Sequence, residues 1–73
     1  MNYEEFIRLI QTDYTCNFEF VIQGCQIMIE KEFDSIATID YPFIKDFFSY
    51  AGAVNLIPVE YNEKINSIMN KMK

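Results

Sequence analysis

From Asn17 to Glu30 the chain alternates apolar and polar side chains on either side of Gln23-Gly24, and this stretch decides the expected fold. Phe18, Phe20 and Ile22 take every second place, with Asn17, Glu19 and Val21 between them. After Gln23-Gly24, Cys25, Ile27 and Ile29 do the same between Gln26, Met28 and Glu30. A period of two is the mark of a half-buried strand, and a two-residue loop joins two such strands into a hairpin. That register sets Ile22 opposite Cys25, Phe20 opposite Ile27 and Phe18 opposite Ile29, with all six core-facing residues on one side. A second reversal at Phe33-Asp34-Ser35 leads into Ile36-Ala37-Thr38-Ile39, whose β-branched residues predict a third antiparallel strand.

Helices are expected on both sides of this meander. Asn2 with Glu5 three residues later reads as a capping box, and Phe6, Ile7, Leu9 and Ile10 recur at helical spacing, which predicts a helix over 2–12. Asp13-Tyr14-Thr15 ends that pattern. Asp40 before Tyr41-Pro42 opens a second helix over 41–51, in which Ile44, Phe47, Phe48 and Ala51 form one stripe and Gly52 supplies the stop. Residues 53–57 read as a short apolar connection. After Pro58, the spacing of Tyr61, Ile65, Ile68, Met69 and Met72 predicts a third helix with Lys71 and Lys73 at the negative end of its dipole. The expected architecture is a single α+β domain over 1–73: helix, three-stranded antiparallel meander, then two helices packed on one face of the sheet.

Seventy-three residues leave room for one core, because a chain this short buries only about 60% of the surface it exposes when unfolded. Seven Phe and five Tyr concentrate burial into large rings, which offset backbone entropy in a small core. The apolar runs are far shorter than the roughly 20 residues that span a bilayer, and the opening Met-Asn-Tyr-Glu-Glu has no basic region. A cytoplasmic protein is expected, without membrane partners.

The absence of His removes the commonest general base and metal ligand, and with them every Ser-His or Cys-His nucleophile pair. There is no GxGxxG and no Gly-Lys-Ser/Thr motif. Neither an enzyme nor a bound cofactor or metal is expected; the residual catalytic option is a carboxylate-only site, a two-metal centre or a glycosidase pair, drawn from Glu19, Glu30, Glu32 or Asp34. The hairpin register separates Cys16 from Cys25 by roughly 20 Å, so both read as reduced thiols, with Cys25 a small core residue.

Charge points to the partner. Eleven Asp and Glu against six Lys and Arg give a net charge of −5, which opposes direct binding of nucleic acid and favours a protein with a basic surface. In the strand reading, Glu19, Glu30 and Glu32 alternate onto the face opposite the core, beside Asn17, Gln23, Gln26 and an exposed Met28. Like charges on one sheet face stabilise nothing by themselves, so the face invites a functional explanation alongside simple solubility. Asp13, Asp34 and Asp40 also suit turns and caps for local reasons.

The opening Met1-Asn2, Ile7-Arg8, Ile10 and Asp13-Tyr14-Thr15 resembles, with a one-residue gap, the start of the small acidic phage-encoded anti-CRISPR proteins that block type II Cas nucleases. The match covers about the first 15 residues; beyond them, size, acidity and the order helix, meander, helix, helix are similar. The resemblance implies a DNA mimic, with carboxylates standing in for phosphates opposite Arg and Lys. It carries over Asp13 alone as a contact; Tyr14, Glu19, Glu30, Glu32 and Asp34 join it from the residues' own placement. The basic C-terminal helix departs from the family, which has an acidic loop and tail there.

The expected function is therefore a phage-encoded inhibitor that binds a Cas effector through Asp13, Tyr14, Glu19, Glu30, Glu32 and Asp34 and blocks DNA recognition. The alternative is a small homodimeric or accessory interaction module, with Met28, Met69, Met72 and Tyr61 as its apolar seam.

Overall fold

In the computed structural model, which describes residues 1–12, 16–31 and 41–72, α1 (Tyr3–Gln11) starts as its sequence demands. The Asn2 side chain accepts a hydrogen bond from the Glu5 amide at 2.9 Å, and the Glu5 carboxylate accepts one from the Asn2 amide at 3.5 Å. Both halves of the expected capping box are thus formed, satisfying amides that have no partner inside the helix. Thr12 closes the other end, its hydroxyl donating to the Leu9 carbonyl at 3.0 Å.

The meander is not there. Residues 18–31, expected as two strands around Gln23-Gly24, form one continuous helix, α2 (Phe18–Lys31). Among the described residues there are four helices and no strand, so the described structure is all-α and not the expected α+β fold with its meander. The third expected strand, 36–39, lies outside the described residues. The order of elements likened to the anti-CRISPR family therefore does not extend past α1.

The physical reason lies in residues that the alternation sets outside. Val21 and Met28 are apolar and completely buried, and Phe20, Gly24, Cys25 and Ile27 are buried beside them. The recurrence 20, 21, 24, 25, 27, 28 is a helical face. Phe18, a core residue of the hairpin reading, is 55% exposed, and Ile22 and Ile29 are only half-buried. Asn17 starts α2: its side chain accepts from the Phe20 amide at 2.9 Å and its carbonyl from the Val21 amide at 2.9 Å. An Asn cap of this kind is worth about 1 kcal/mol to a helix and nothing to a strand.

Gly24 sits mid-helix against α1 rather than in a turn. A Cβ built there would lie 2.5 Å from Cε1 and 2.6 Å from Cζ of Phe6, so the α1 ring rests directly on the α2 backbone. That ring is fully buried and meets Phe20 and Phe47, with centroids 5.2 and 5.6 Å away, and Phe48 at 6.1 Å. Phe47 and Phe48 come from α3 (Tyr41–Ala53), whose buried stripe of Ile44, Phe48 and Ala51, with half-buried Phe47, follows the expected spacing. α4 (Val59–Lys71) packs on α2 and closes the core with Ile65, Ile68 and, just past its end, Met72. The radius of gyration, 11.0 Å, is that of a folded chain of this length, about 11 Å.

α3 runs beyond the expected stop at Gly52, and Asn55 ends it. With φ at 59°, Asn55 is in the left-handed region; its amide donates to the Gly52 carbonyl at 3.1 Å, and the Leu56 amide donates to the Ala51 carbonyl at 2.8 Å. This is a Schellman cap, with Asn in the place Gly usually takes. Asn55→Val is expected to lower unfolding free energy by about 1–2 kcal/mol while Asn55→Gly does not lower it, as read from urea denaturation midpoints. Equal losses in the two variants would show that the left-handed turn is not populated.

Candidate functional site

The helix reassigns the outer surface of α2 without dispersing it. Glu19, Gln23, Gln26 and Glu30 are all exposed, at the spacing i, i+4, i+7, i+11 that keeps one helical face. Glu19 and Glu30 thus lie about three turns apart on the same side, roughly 16 Å along the axis. Of the other expected contact residues, Asp13, Tyr14, Glu32 and Asp34 lie outside the described residues. Asn17 leaves the proposed face for the cap, and Met28 leaves it for the core.

The two placed carboxylates are not equivalent. Glu19 stands in the first turn of α2, where the positive end of the helix dipole favours an acid. Glu30 stands in the last turn beside the carbonyl end, where an acid costs about 0.3–1 kcal/mol. Glu30 has no hydrogen-bond or ion-pair partner among the described residues, and neither have Glu4, Glu19, Asp46, Glu60 or Glu63. Local stability accounts for Glu19; it does not account for Glu30.

Two clefts meet at Glu30. One of about 280 Å³ is lined by Met1, Gln23, Gln26, Ile27 and Glu30. The other, about 390 Å³, is lined by Met1, Asn2, Tyr3, Ile27, Glu30 and Lys31. In the second, the Lys31 ammonium lies over the Tyr3 ring, 5.3 Å from its centroid. The Tyr3 hydroxyl is buried with no hydrogen-bond partner among the described residues, and burial pushes its pKa up. In the first, the Gln26 side-chain nitrogen donates to the Tyr61 hydroxyl of α4 at 3.2 Å, which orients the amide. Met1 and Tyr3 were not among the residues expected to line this surface; the alternation of 17–30 contains nothing that reaches α1, and only the antiparallel packing of α1 on α2 brings them in.

Two of the four residues expected to form the apolar seam of a homodimer are not on the surface. Met28 and Met72 are core residues, and Met69 and Tyr61 are half-buried against the core. No three His, Cys, Asp or Glu among the described residues are grouped to hold a metal, and no described helix is long and apolar enough to cross a membrane.

Both cysteines are free thiols, Cys16 half-buried and Cys25 fully buried. Burial raises both pKa values, that of Cys25 to about 12 from 9.0 in the unfolded chain. The sign follows directly: between these values the unfolded chain has lost the proton and the folded chain keeps it, so stability is present below pH 9 and falls as pH rises toward 12. The expected slope from this group is up to about 1.4 kcal/mol per pH unit and is absent in Cys25→Ala, measured by denaturation at successive pH values. An unchanged slope in Cys25→Ala would contradict the burial of this thiol.

The described residues define a small all-helical fold with a polar, carboxylate-bearing face on α2. No family model, curated protein or solved structure matches the chain.

Proposed function

We propose that the chain is a non-catalytic, phage-encoded inhibitor that acts in the host cytoplasm. Its outer α2 face, with Glu19 and Glu30, occupies a basic groove of a nucleic-acid-reading defence protein, a Cas effector in the first instance. The carboxylates take the place of phosphates opposite Arg and Lys, and the bound effector can no longer read its DNA. The observation that carries this reading is Glu30: a solvent-facing carboxylate set against the helix dipole, without a partner among the described residues, on the same face as Glu19. A net charge of −5 adds long-range attraction toward a basic surface.

Capture from bacterial lysates containing CRISPR effectors tests it. A tagged wild-type chain is expected to retain a nuclease complex at low salt, to lose it at high salt, and to be competed by that complex's DNA. Glu19→Lys with Glu30→Lys, both at exposed positions, is expected to abolish capture with the far-UV helical signal intact. Undiminished capture by the double variant would eliminate this face.

A further inference from the structure

We propose that the cleft beside Glu30 holds a guanidinium group, so that the partner residue seated on this face is an arginine. The proposal rests on the basic-partner reading above and sharpens it from a charge to a side chain.

Three acceptors converge there from one helical face. Glu30 offers a carboxylate without a partner among the described residues; Gln26 and Gln23, four and seven residues earlier, offer amide oxygens. One N–H of the Gln26 amide is engaged by the Tyr61 hydroxyl, and the amide oxygen, without a partner among the described residues, is open to a ligand. Ile27 and Met1 add apolar walls against which an aliphatic stem can lie.

This composition selects among ligands. An anion meets Glu30 and is repelled, while a neutral amide leaves the carboxylate uncompensated. An ammonium is a compact point charge that satisfies the carboxylate but not acceptors spread along two turns. A guanidinium carries five donors in a planar fork, which can take a carboxylate and a flanking amide oxygen together. Neither nearby cation supplies it: Lys31 lines the neighbouring cleft, over the Tyr3 ring, and the Met1 ammonium, although Met1 lines this cleft, forms no ion pair with Glu30 among the described residues.

The test is an NMR titration of the full ¹⁵N-labelled chain with a capped Gly-Arg-Gly peptide and its lysine and citrulline counterparts. The arginine peptide is expected to shift the side-chain amide signals of Gln23 and Gln26 and the backbone amide of Glu30 in a saturable way. The citrulline peptide, isosteric but uncharged, is expected to leave them in place, and the lysine peptide to bind more weakly than the arginine one. Glu30→Gln is expected to weaken the arginine peptide about tenfold or more, as loss of a charge-assisted hydrogen bond does, with Glu19→Gln nearly without effect. Equal weakening by both variants, indifference to lysine versus arginine, or shifts confined to other parts of the surface would overturn the site. The charge-reversal capture experiment decides the basic-partner reading separately, since it needs only the face and not this cleft.

Discussion

Phe6→Ala is expected to cost about 3–5 kcal/mol, as loss of a fully buried ring does, out of the roughly 4–11 kcal/mol that a chain of this length commands. The ring is the point where the helices meet. It is 0% exposed, it touches Phe20 of α2 and Phe47 and Phe48 of α3, and it covers the backbone at Gly24. Around it, Phe47 lies edge-on to both Phe20 and Phe48, with centroids 5.6 and 5.1 Å away, so no neighbour is placed to close the void. Phe18→Ala is the informative control. Its side chain is 55% exposed, and its removal is expected to change stability by no more than about 0.5 kcal/mol. A hairpin over the same residues would bury Phe18, and the control would then be costly. Urea denaturation of the two variants reads both effects; a loss under about 1 kcal/mol at Phe6 contradicts the packing described.

Gly24→Ala is expected to destabilise by about 1–3 kcal/mol, although alanine in place of glycine inside a helix ordinarily gains about 0.5–1 kcal/mol. The new methyl would sit 2.5 Å from the Phe6 ring, which is held by aromatic neighbours and cannot give way cheaply. Gly52 supplies the contrast in the same molecule. Among the described residues a Cβ there meets only Ile57 Cδ1, at 3.8 Å, so Gly52→Ala is expected to show the ordinary gain. Because the penalty at Gly24 comes from one contact, it should be coupled to Phe6. In a Phe6→Leu background the cost of Gly24→Ala is expected to shrink by about 1 kcal/mol or more. Strict additivity of the two substitutions would mean that the ring does not rest on α2.

These two positions also explain how far the fold was legible in the sequence. α1 was readable because its signals are local and redundant: Asn2 and Glu5 cap each other, and the apolar residues beyond them fit one period only. The stripes of α3 and α4 were readable for the same reason, with charged and polar residues holding the opposite faces. α2 was not, because apolar side chains occupy both parities of its sequence. Phe18, Phe20 and Ile22 satisfy a strand, while Phe20, Val21, Cys25 and Met28 satisfy a helix, and Gly24 tips the choice toward a turn. The glycine is there for a contact with Phe6, which no reading of residues 17–30 alone can reveal. Two helical signals were nevertheless present: Asn17 three residues before Phe20, and the polar spacing of Glu19, Gln23, Gln26 and Glu30. In the other long helix, α3, Gly52 reads as the stop that Asn55 provides, since a helix-ending Asn looks like any polar residue until its φ is known.

The candidate face was legible in part by coincidence of periods. Glu19 and Glu30 share a side of the expected hairpin, and they share a side of the helix because eleven residues make about three turns. What the strand reading could not give was the company they keep. The clefts at Glu30 need Met1 and Tyr3, which reach α2 only through helix packing, and the dipole argument that distinguishes Glu30 from Glu19 has no counterpart in a sheet.

The most direct test of the account is the conformation of residues 18–31 in solution, measured by NMR. A helix predicts an unbroken run of positive ¹³Cα secondary shifts from Phe18 to Lys31, with sequential amide–amide contacts through Gly24 and Glu19, Gln23, Gln26 and Glu30 on its outer face. Negative shifts on both sides of Gln23-Gly24, with close Hα contacts between Phe20 and Ile27, would restore the hairpin and remove the face on which the proposed function stands.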